Sequence, residues 1–279
     1  MKTSLQLLSI LLVLICMGSC HSNKELTSSN SNQRKAIELV TNYGTIVFQL
    51  YNETPLHRDN FLKLTKEGKY DGLLFHRVIN NFMIQSGDPD SKNAKPEDEL
   101  GEGDLKYMVD AEINTKFFHK KGALGAARDD NPERASSAMQ FYIVQGGVRT
   151  DSVIDGYQIR INNWLAQHFI KKDSTYLPLI NEMNKAMEAR DRDLYKKISD
   201  SITNIAKKNN IYTHYIIPES HREVYKTIGG TPHLDQNYTV FGEVIQGLDI
   251  VDSIANVKTG KGDRPVKDVR ILSVKVLND

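Results

Sequence analysis

Residues 75–88 read FHRVINNFMIQSGD, and this stretch decides both the fold and the site that we expect. It holds an arginine, Arg77, an apolar pair, Phe82 and Met83, and a glutamine, Gln85. A guanidinium is a permanent cation in proteins and does not act as a base. The stretch offers no obvious nucleophile and no metal-binding cluster, so its chemistry has to use a fixed cation beside an apolar surface.

The composition is typical of a globular protein. The chain has 279 residues, of which 39% are hydrophobic and 25% are charged, and this length suggests one or two domains. Its formal net charge is +1. Proteins that bind nucleic acids usually carry a basic face, so the charge balance predicts no nucleic-acid partner.

The first twenty residues have the pattern of an export signal. Lys2 precedes the apolar run LQLLSILLVLICM, which is short for a membrane span but suits the core of a signal peptide. Gly18 and Ser19, directly before Cys20, resemble the cleavage site of bacterial lipoproteins, in which the cysteine becomes the lipidated first residue. We therefore predict a lipoprotein signal peptide over residues 1–19 and a lipid on Cys20; the alternative is an ordinary signal peptide with an incidental cysteine.

A lipid on Cys20 would place the protein in a bacterial cell envelope. We expect an anchor in the outer membrane, with the protein facing the periplasm or the cell surface. Residues 21–34, HSNKELTSSNSNQR, are rich in Ser and Asn and contain a single Leu. Such a composition predicts a flexible tether, here over residues 20–34.

Short β-rich runs dominate the chain after the tether. Residues 36–52 predict a hairpin that turns at Asn42-Tyr43-Gly44, and residues 139–145, 238–245 and 269–277 predict further strands. Thr54 and Pro55 predict a helix start with Thr as the cap, and residues 247–255 predict a second helix. Many short strands with two helices favour a closed antiparallel barrel.

The pattern changes between Val148 and Ile228, where long charged segments of helical periodicity replace the strands. We predict a helical insertion over residues 149–228, with two helices paired as an antiparallel hairpin around Pro178. Residues 35–148 and 229–279 then form one domain of ordinary size.

Four separated motifs, in this order, resemble the cyclophilin family of peptidyl-prolyl cis-trans isomerases. They are FHRVINNFMIQSGD at 75–88, GALGAAR at 122–128, QFYIV at 140–144 and HLDQNYTVFGEV at 233–244. The resemblance covers nearly all of residues 35–148 and 229–279. It implies a mainly β fold, an eight-stranded antiparallel closed barrel capped by two helices, with a substrate groove on its outer face. The helical insertion is then an inserted subdomain.

The resemblance also implies the site. Arg77 would be the main catalytic residue, donating a hydrogen bond to the proline nitrogen of a twisted X-Pro amide, and Gln85 would act with it. The same resemblance places Ala127 and Arg128 beside the substrate main chain, which Gln85 and Gln140 would also bind. The substrate-binding residues that it implies are Phe82, Met83, Ala127, Arg128, Gln140, Tyr142, His233, Leu234 and Tyr238.

The reaction breaks no bond and needs no obligatory proton transfer, so we expect no cofactor and no metal. His76 is adjacent to Arg77 and is interpreted as structural rather than as an acid or base. Three positions depart from the family pattern. His233 stands where many eukaryotic members carry tryptophan, Tyr238 where they carry histidine, and Arg128 where asparagine is usual.

Two functions remain open at this stage. The first is an active isomerase that assists the folding of exported proteins and binds proline-containing, unfolded polypeptides while the lipid holds it at the membrane. The second is a client-binding chaperone module with little turnover. The joint presence of Arg77, Phe82, Gln85 and Gln140 favours the first.

Overall fold

The structure is a computed structural model that describes residues 33–277. The predicted signal peptide, the lipidation residue Cys20 and most of the predicted tether lie outside the described residues. From Arg34 onward the described residues form one compact unit.

Within this range the chain forms ten strands and six helices. The strands are β1 (Ala36–Thr41), β2 (Gly44–Leu50), β3 (Arg77–Ile79), β4 (Met83–Ser86), β5 (Met108–Val109), β6 (Ala123–Ala126), β7 (Ser136–Ser137), β8 (Phe141–Val144), β9 (Val240–Gln246) and β10 (Ile271–Val276). The helices are α1 (Pro55–Lys66), α2 (Asp151–Ile170), α3 (Leu177–Glu188), α4 (Arg192–Lys208), α5 (Glu219–Thr227) and α6 (Leu248–Ala255).

Eight of the strands form one antiparallel sheet in the order β10-β1-β2-β9-β6-β8-β4-β3, while β5 pairs with β7. The two ends of the large sheet meet just before β3 and β10. There the N–H of Phe75 donates to the carbonyl of Val269, and the N–H of Ile271 donates to the carbonyl of Leu73, both at 2.8 Å. The predicted eight-stranded antiparallel barrel with helices is thus confirmed.

The barrel interior holds the main hydrophobic core. Alternate residues of β1, such as Ile37 and Leu39, point inward and are fully buried, as the period of two in a strand requires. Helix α1 adds Phe61 and Leu64, and α6 adds Val251 and other apolar side chains. Burying each large apolar side chain contributes about 1.5–3 kcal/mol, so the two helices stabilise the barrel that they cap.

Helix α1 begins at Pro55, as the Thr54-Pro55 pair predicts, but Thr54 makes no capping hydrogen bond. The carboxylate of Glu112 takes that role instead, accepting from the N–H of Leu56 at 3.0 Å and the N–H of His57 at 2.9 Å. A carboxylate at a helix N-terminus pairs with free N–H groups and with the positive end of the helix dipole. The cap is therefore supplied by a residue more than fifty positions away, which the local sequence does not reveal.

The segment between β8 and β9 contains four helices, α2 to α5. The expectation of a single long helix after Pro178 is wrong, because α3 ends at Glu188 and α4 begins at Arg192. Arg190 has a φ of 57°, and the carboxylate of Asp191 accepts from the N–H of Leu194 at 3.0 Å, so it caps a new helix. Helices α2, α3 and α4 pack around their own apolar cluster.

Two glycine pairs bring the ends of this helical segment together. A Cβ atom on Gly146 would lie 2.6 Å from the Cα atom of Gly230, so the two backbones approach more closely than any side chain allows. The N–H of Gly230 donates to the carbonyl of Gly147 at 3.1 Å. We call Gly146, Gly147, Gly229 and Gly230 the stem. The bounds 149 and 228 of the insertion stay a prediction, since they rest on the sequence pattern.

Candidate active site

The candidate site lies on the outer face of the sheet. Arg77 on β3 is paired with Gln85 on β4, and Gln85 is paired with Tyr142 on β8. Because side chains alternate along a strand, these three lie on the face opposite to Ile84 and Ile143, which belong to the barrel core. The hairpin of residues 77–86 thus brings the cation and the amide of the opening motif side by side.

A chain of hydrogen bonds holds the polar side of the site. Nη1 of Arg77 donates to Oε1 of Gln85 at 3.3 Å, and Nε2 of Gln85 donates to Oε1 of Gln140 at 3.0 Å. Nε2 of Gln140 in turn donates to the carbonyls of Gly101 and Gly103, at 2.7 and 2.8 Å. The orientation of the guanidinium is therefore tied to a loop of the main chain.

Arg77 keeps donors for a substrate. Its side chain is 42% exposed, and its Nε atom lies 3.6 Å from Oδ2 of Asp263. Among residues 33–277, no acceptor is present for the N–H groups of Nη2. Arginine carries five N–H donors in a planar fork, so this guanidinium can be held by Gln85 and Asp263 and still donate to a bound group.

A cavity of about 140 Å³ lies beside the guanidinium. We call it the proline pocket, after the ring that the family resemblance predicts for it. It is much smaller than a drug-sized ligand site of roughly 300–1,000 Å³, so it takes one small side chain or ring. Nine of the eleven residues predicted for the site line it: Arg77, Phe82, Met83, Gln85, Ala127, Arg128, Tyr142, Leu234 and Tyr238.

The other two predicted residues lie behind that lining. Gln140 is bonded to Gln85, as described above. The ring of His233 stacks on Phe82 with the centroids 5.5 Å apart, and its other neighbour is Tyr157 of α2 at 5.0 Å. Burial lowers the pKa of His233 to about 4, with a smaller contribution in the same direction from nearby Arg160. His233 is therefore a neutral ring that supports Phe82 at physiological pH.

Beside the pocket, the backbone groups of Ala127 and Arg128 differ in their hydrogen bonding. The N–H of Ala127 donates to the carbonyl of Gln140 at 2.9 Å, and the carbonyl of Ala127 accepts from the N–H of Ser137 at 2.9 Å. Ala127 thus lines the pocket while its backbone groups are used inside the protein. The backbone N–H and carbonyl of Arg128 have no such bond among the described residues, which leaves them for a substrate strand.

The side chain of Arg128 is buried, with 4% of its surface exposed. Its Nε donates to the carbonyl of Asn237 at 3.1 Å, and its Nη2 donates to the side-chain oxygen of the same residue. The guanidinium also lies over the rings of Tyr238 and Trp164, at 5.1 and 5.7 Å. It therefore fixes the segment that carries Tyr238.

Sequence reasoning missed a buried network behind Tyr142. Its hydroxyl lies 2.8 Å from Nε2 of His119, and Nδ1 of His119 lies 2.8 Å from Oδ1 of Asp235. The hydroxyl of Tyr225 on α5 donates to Oδ2 of Asp235 at 2.7 Å. Burial, with smaller contributions from Tyr238 and Asp235, raises the pKa of Tyr142 well above its usual value, so the hydroxyl stays protonated.

A second buried network has the residue types of a hydrolase triad. Nε2 of His57 lies 3.0 Å from Oγ of Ser136, and Nδ1 of His57 lies 2.7 Å from Oε2 of Glu112. Ser136 is only 1% exposed, so a substrate carbonyl does not reach its oxygen. The network joins the start of α1 to β7 and has a structural role.

His76 is also buried and unpartnered. It is 3% exposed, and neither ring nitrogen has a hydrogen-bond partner within residues 33–277. Burial lowers its pKa to about 4, with Arg77 contributing in the same direction and Asp88 opposing it. This arrangement agrees with the structural role expected for His76.

Over the same residues, no helix is long and apolar enough to cross a membrane. Nor does any group of three or more His, Cys, Asp or Glu side chains in that range have an arrangement that would hold a metal ion.

Comparison with known proteins identifies the family. The family model described as "Cyclophilin type peptidyl-prolyl cis-trans isomerase/CLD" matches residues 36–165 and 207–276. Curated relatives that carry the isomerase name include proteins of Staphylococcus haemolyticus (strain JCSC1435) and Staphylococcus saprophyticus (strain ATCC 15305). The first is 30% identical over 91% of this chain and 95% of its own. The second is 29% identical over 90% of this chain and 95% of its own.

The fold comparison agrees. A crystal structure of a cyclophilin type peptidyl-prolyl cis-trans isomerase from Cryptosporidium parvum superimposes with a TM-score of 0.50 at 18% identity, covering 88% of this chain and 98% of that one. The matched family segments include the hairpin of Arg77 and Gln85, the strand of Tyr142 and the turn of Leu234. On these grounds the chain belongs to the cyclophilin-type peptidyl-prolyl cis-trans isomerases.

Proposed function

We propose that this isomerase acts on X-Pro bonds of exported proteins by stabilising the twisted amide with Arg77 over the proline pocket. The observation that carries the proposal is the position of the guanidinium at the edge of a cavity that admits little more than one ring. A lipid on Cys20 would hold the enzyme at the membrane of the cell envelope.

The chemistry requires differential stabilisation rather than bond cleavage. Rotation about a peptide bond has a barrier of about 18–20 kcal/mol, because resonance gives the C–N bond partial double-bond character. In the twisted state the proline nitrogen recovers its lone pair and becomes a hydrogen-bond acceptor, whereas the nitrogen of a planar amide accepts poorly. A donor aimed at that nitrogen therefore stabilises the transition state over both planar isomers.

Arg77 is suited to this donation. Gln85 and Asp263 restrict its guanidinium, so little reorganisation is needed when the amide twists. The rings of Phe82 and Tyr142 and the side chain of Met83 hold the proline ring while the chain on one side turns. The free backbone of Arg128 is placed to hold a substrate strand.

The expected contribution of Arg77 is limited. A hydrogen bond to a charged group contributes about 1.5–3 kcal/mol, which corresponds to roughly 10- to 150-fold in rate. The apolar pocket and the oriented backbone contacts have to supply the rest by preorganisation.

The experiment compares Arg77→Ala with the wild-type soluble domain from residue 35 in an X-Pro peptide assay. The variant is expected to lose most of the activity with its fold and thermal stability intact. Arg192→Ala, on the exposed surface of α4, is the matched control and should keep full activity. Unchanged turnover by a well-folded Arg77→Ala protein would refute the role of Arg77.

The same measurement addresses the alternative function. A client-binding chaperone module would bind unfolded polypeptides while the wild-type protein showed little turnover on the peptide. Substantial catalysis that depends on Arg77 supports the isomerase instead.

The anchor needs its own test. Cys20→Ser should leave the precursor unprocessed by lipoprotein maturation and free of incorporated fatty acid, and the protein should no longer fractionate with the membrane. Labelled lipid on the Ser variant would contradict the assignment of Cys20. Export is tested in the same cells by asking whether the wild-type protein is reached by protease in the envelope.

A further inference from the structure

Helix α2 packs against the turn that carries Leu234, a residue of the proline pocket. A second cavity, of about 100 Å³, lies between α2 and the segment that follows the stem, and we call it the α2 subsite. Arg160 and Trp164 line it from α2, and His233, Leu234, Asp235 and Tyr238 line it from the other side. Leu234 and Tyr238 also line the proline pocket, so the two cavities share a wall.

Trp164 is the fixed wall of this subsite. The guanidinium carbons of Arg128 and Arg134 lie 5.7 and 5.9 Å from its ring, and the ring of His168 stacks on it with the centroids 5.0 Å apart. Arg128 is in turn bonded to Asn237, beside Tyr238. An indole held by cations and a ring presents an ordered surface to a ligand.

The charge of the α2 subsite is positive. Arg160 is exposed and forms no ion pair with any residue in the range 33–277. Asp235 is 2% exposed, and His119 and Tyr225 already occupy its two carboxylate oxygens. His233 is neutral at physiological pH, as described above. One unpaired cation therefore faces a ligand, with no free anion opposite it in the lining.

The surface continues beyond Trp164. A third cavity, of about 420 Å³, lies between α2 and α3 and shares Trp164 with the α2 subsite. Its lining includes Lys171, Tyr195 and Met187, which is 59% exposed. A polypeptide held by its proline in the first pocket thus has a path along the insertion.

We propose that the α2 subsite binds an acidic side chain of the client close to the X-Pro bond, with Arg160 as the cation that selects it and Trp164 as the wall. This inference rests on the proposed isomerase function, because the subsite adjoins the proline pocket. Arg160 is then a specificity-determining residue contributed by the insertion, and it takes no part in the twisting of the amide.

The experiment uses the soluble domain from residue 35 and acetylated peptides in which one position beside Ala-Pro is Glu, Gln or Lys. Each substitution is made once before and once after proline, because the shared wall does not fix the direction. Exchange NMR gives kcat/KM without a coupling protease. Trp164 is the only tryptophan of the chain, so its emission reports binding in the subsite independently of turnover.

At low ionic strength the wild-type protein should prefer the Glu peptide over the Lys peptide in one of the two positions. An exposed ion pair supports a preference of about two- to five-fold, with Gln in between, and added salt should reduce it. Arg160→Glu should reverse the preference. Lys197→Glu makes the same charge change on an exposed residue of α4 outside the lining of the α2 subsite, and it should keep the preference for the Glu peptide.

The experiment distinguishes failure of the α2 subsite from failure of the proposed isomerase function. Equal kcat/KM for all peptides, with no peptide-dependent change in the emission of Trp164, refutes the α2 subsite and leaves the isomerase function in place. A preference that survives Arg160→Glu also refutes it, because the selection then comes from another group. Emission changes that favour Glu and depend on Arg160, without any isomerisation, support the subsite and refute the proposed function.

Discussion

The hydroxyl of Tyr142 lies 2.8 Å from Nε2 of His119, and both side chains are buried. Tyr142 forms a wall of the proline pocket, and His119 is held by Asp235, which also accepts from Tyr225 of α5. One chain of hydrogen bonds therefore runs from the pocket to helix α5. Removing the hydroxyl of Tyr142 should therefore change the energetic effect of removing that of Tyr225, and the reverse.

The first prediction concerns Tyr142→Phe. The ring remains, but Nε2 of His119 loses its partner in a buried position. Leaving such a group unsatisfied costs about 1–3 kcal/mol, so the free energy of unfolding in urea should fall by this amount. An unchanged unfolding midpoint and slope would contradict the role that we assign to this hydrogen bond.

Tyr225→Phe tests the other end of the same chain. It removes a donor from the buried Asp235 carboxylate, so unfolding should become easier by about 1.5–3 kcal/mol. Because the two hydroxyls belong to one network, the double variant with Tyr142→Phe should cost less or more than the sum of the single changes. Strict additivity would show that the pocket and α5 are independent.

A third prediction concerns Gly125, which faces Tyr142 across the β6–β8 ladder. A Cβ atom on Gly125 would lie 2.3 Å from Cζ of Tyr142, so Gly125→Ala has to displace the ring from the pocket wall. Peptide isomerisation should fall together with stability. The matched control is Gly156→Ala in α2, where nothing lies within 4 Å of the new atom. That change should stabilise the protein by about 0.5–1 kcal/mol.

The stability of the domain should also depend on pH through His76. Its folded pKa of about 4 lies below the ordinary value of 6.5, so between these values the unfolded chain takes up a proton that the folded protein does not. Stability should therefore fall as the pH is lowered from about 6.5 toward 4.

His76→Leu measures that contribution. The ring nitrogens have no partner among the described residues, so the substitution strands no other polar group. The free energy of unfolding should then change less steeply between pH 6.5 and 4, by at most about 1.4 kcal/mol per pH unit. An unchanged slope would show that a group other than His76 causes the pH dependence of stability. His168 and His233, whose pKa values are also lowered to about 4, leave a remaining slope.

The sequence predicts the parts of the site that are close together along the chain. Phe82, Met83 and Gln85 lie within a few residues of Arg77, and a tight hairpin leaves them few alternative arrangements. Tyr142, Leu234 and Tyr238 come from separate motifs, so only the family resemblance could place them beside Arg77. All of them line one cavity.

The features of the site that the sequence does not predict depend on contacts between residues far apart along the chain. His119 and Asp235 are 116 positions apart, and neither belongs to a motif with a known ligand or acid-base spacing. The side chain of Arg128 donates to Asn237 and lies over Trp164, and the contact with Trp164 requires that α2 pack beside it. The break between α3 and α4 did have a local signal, since Asp191 stands where a helix cap is favoured.

The stem has a consequence for how such chains diversify. Because the N–H of Gly230 donates to the carbonyl of Gly147, the two ends of the chain between them meet at one point on the barrel. The barrel can therefore carry different inserted segments at this one place. A replacement segment has to supply a donor for Asp235, now Tyr225, and the ring contacts that Tyr157 and Trp164 now make with His233 and Arg128. Under the two proposals above, exchange of this segment would change client preference without changing Arg77.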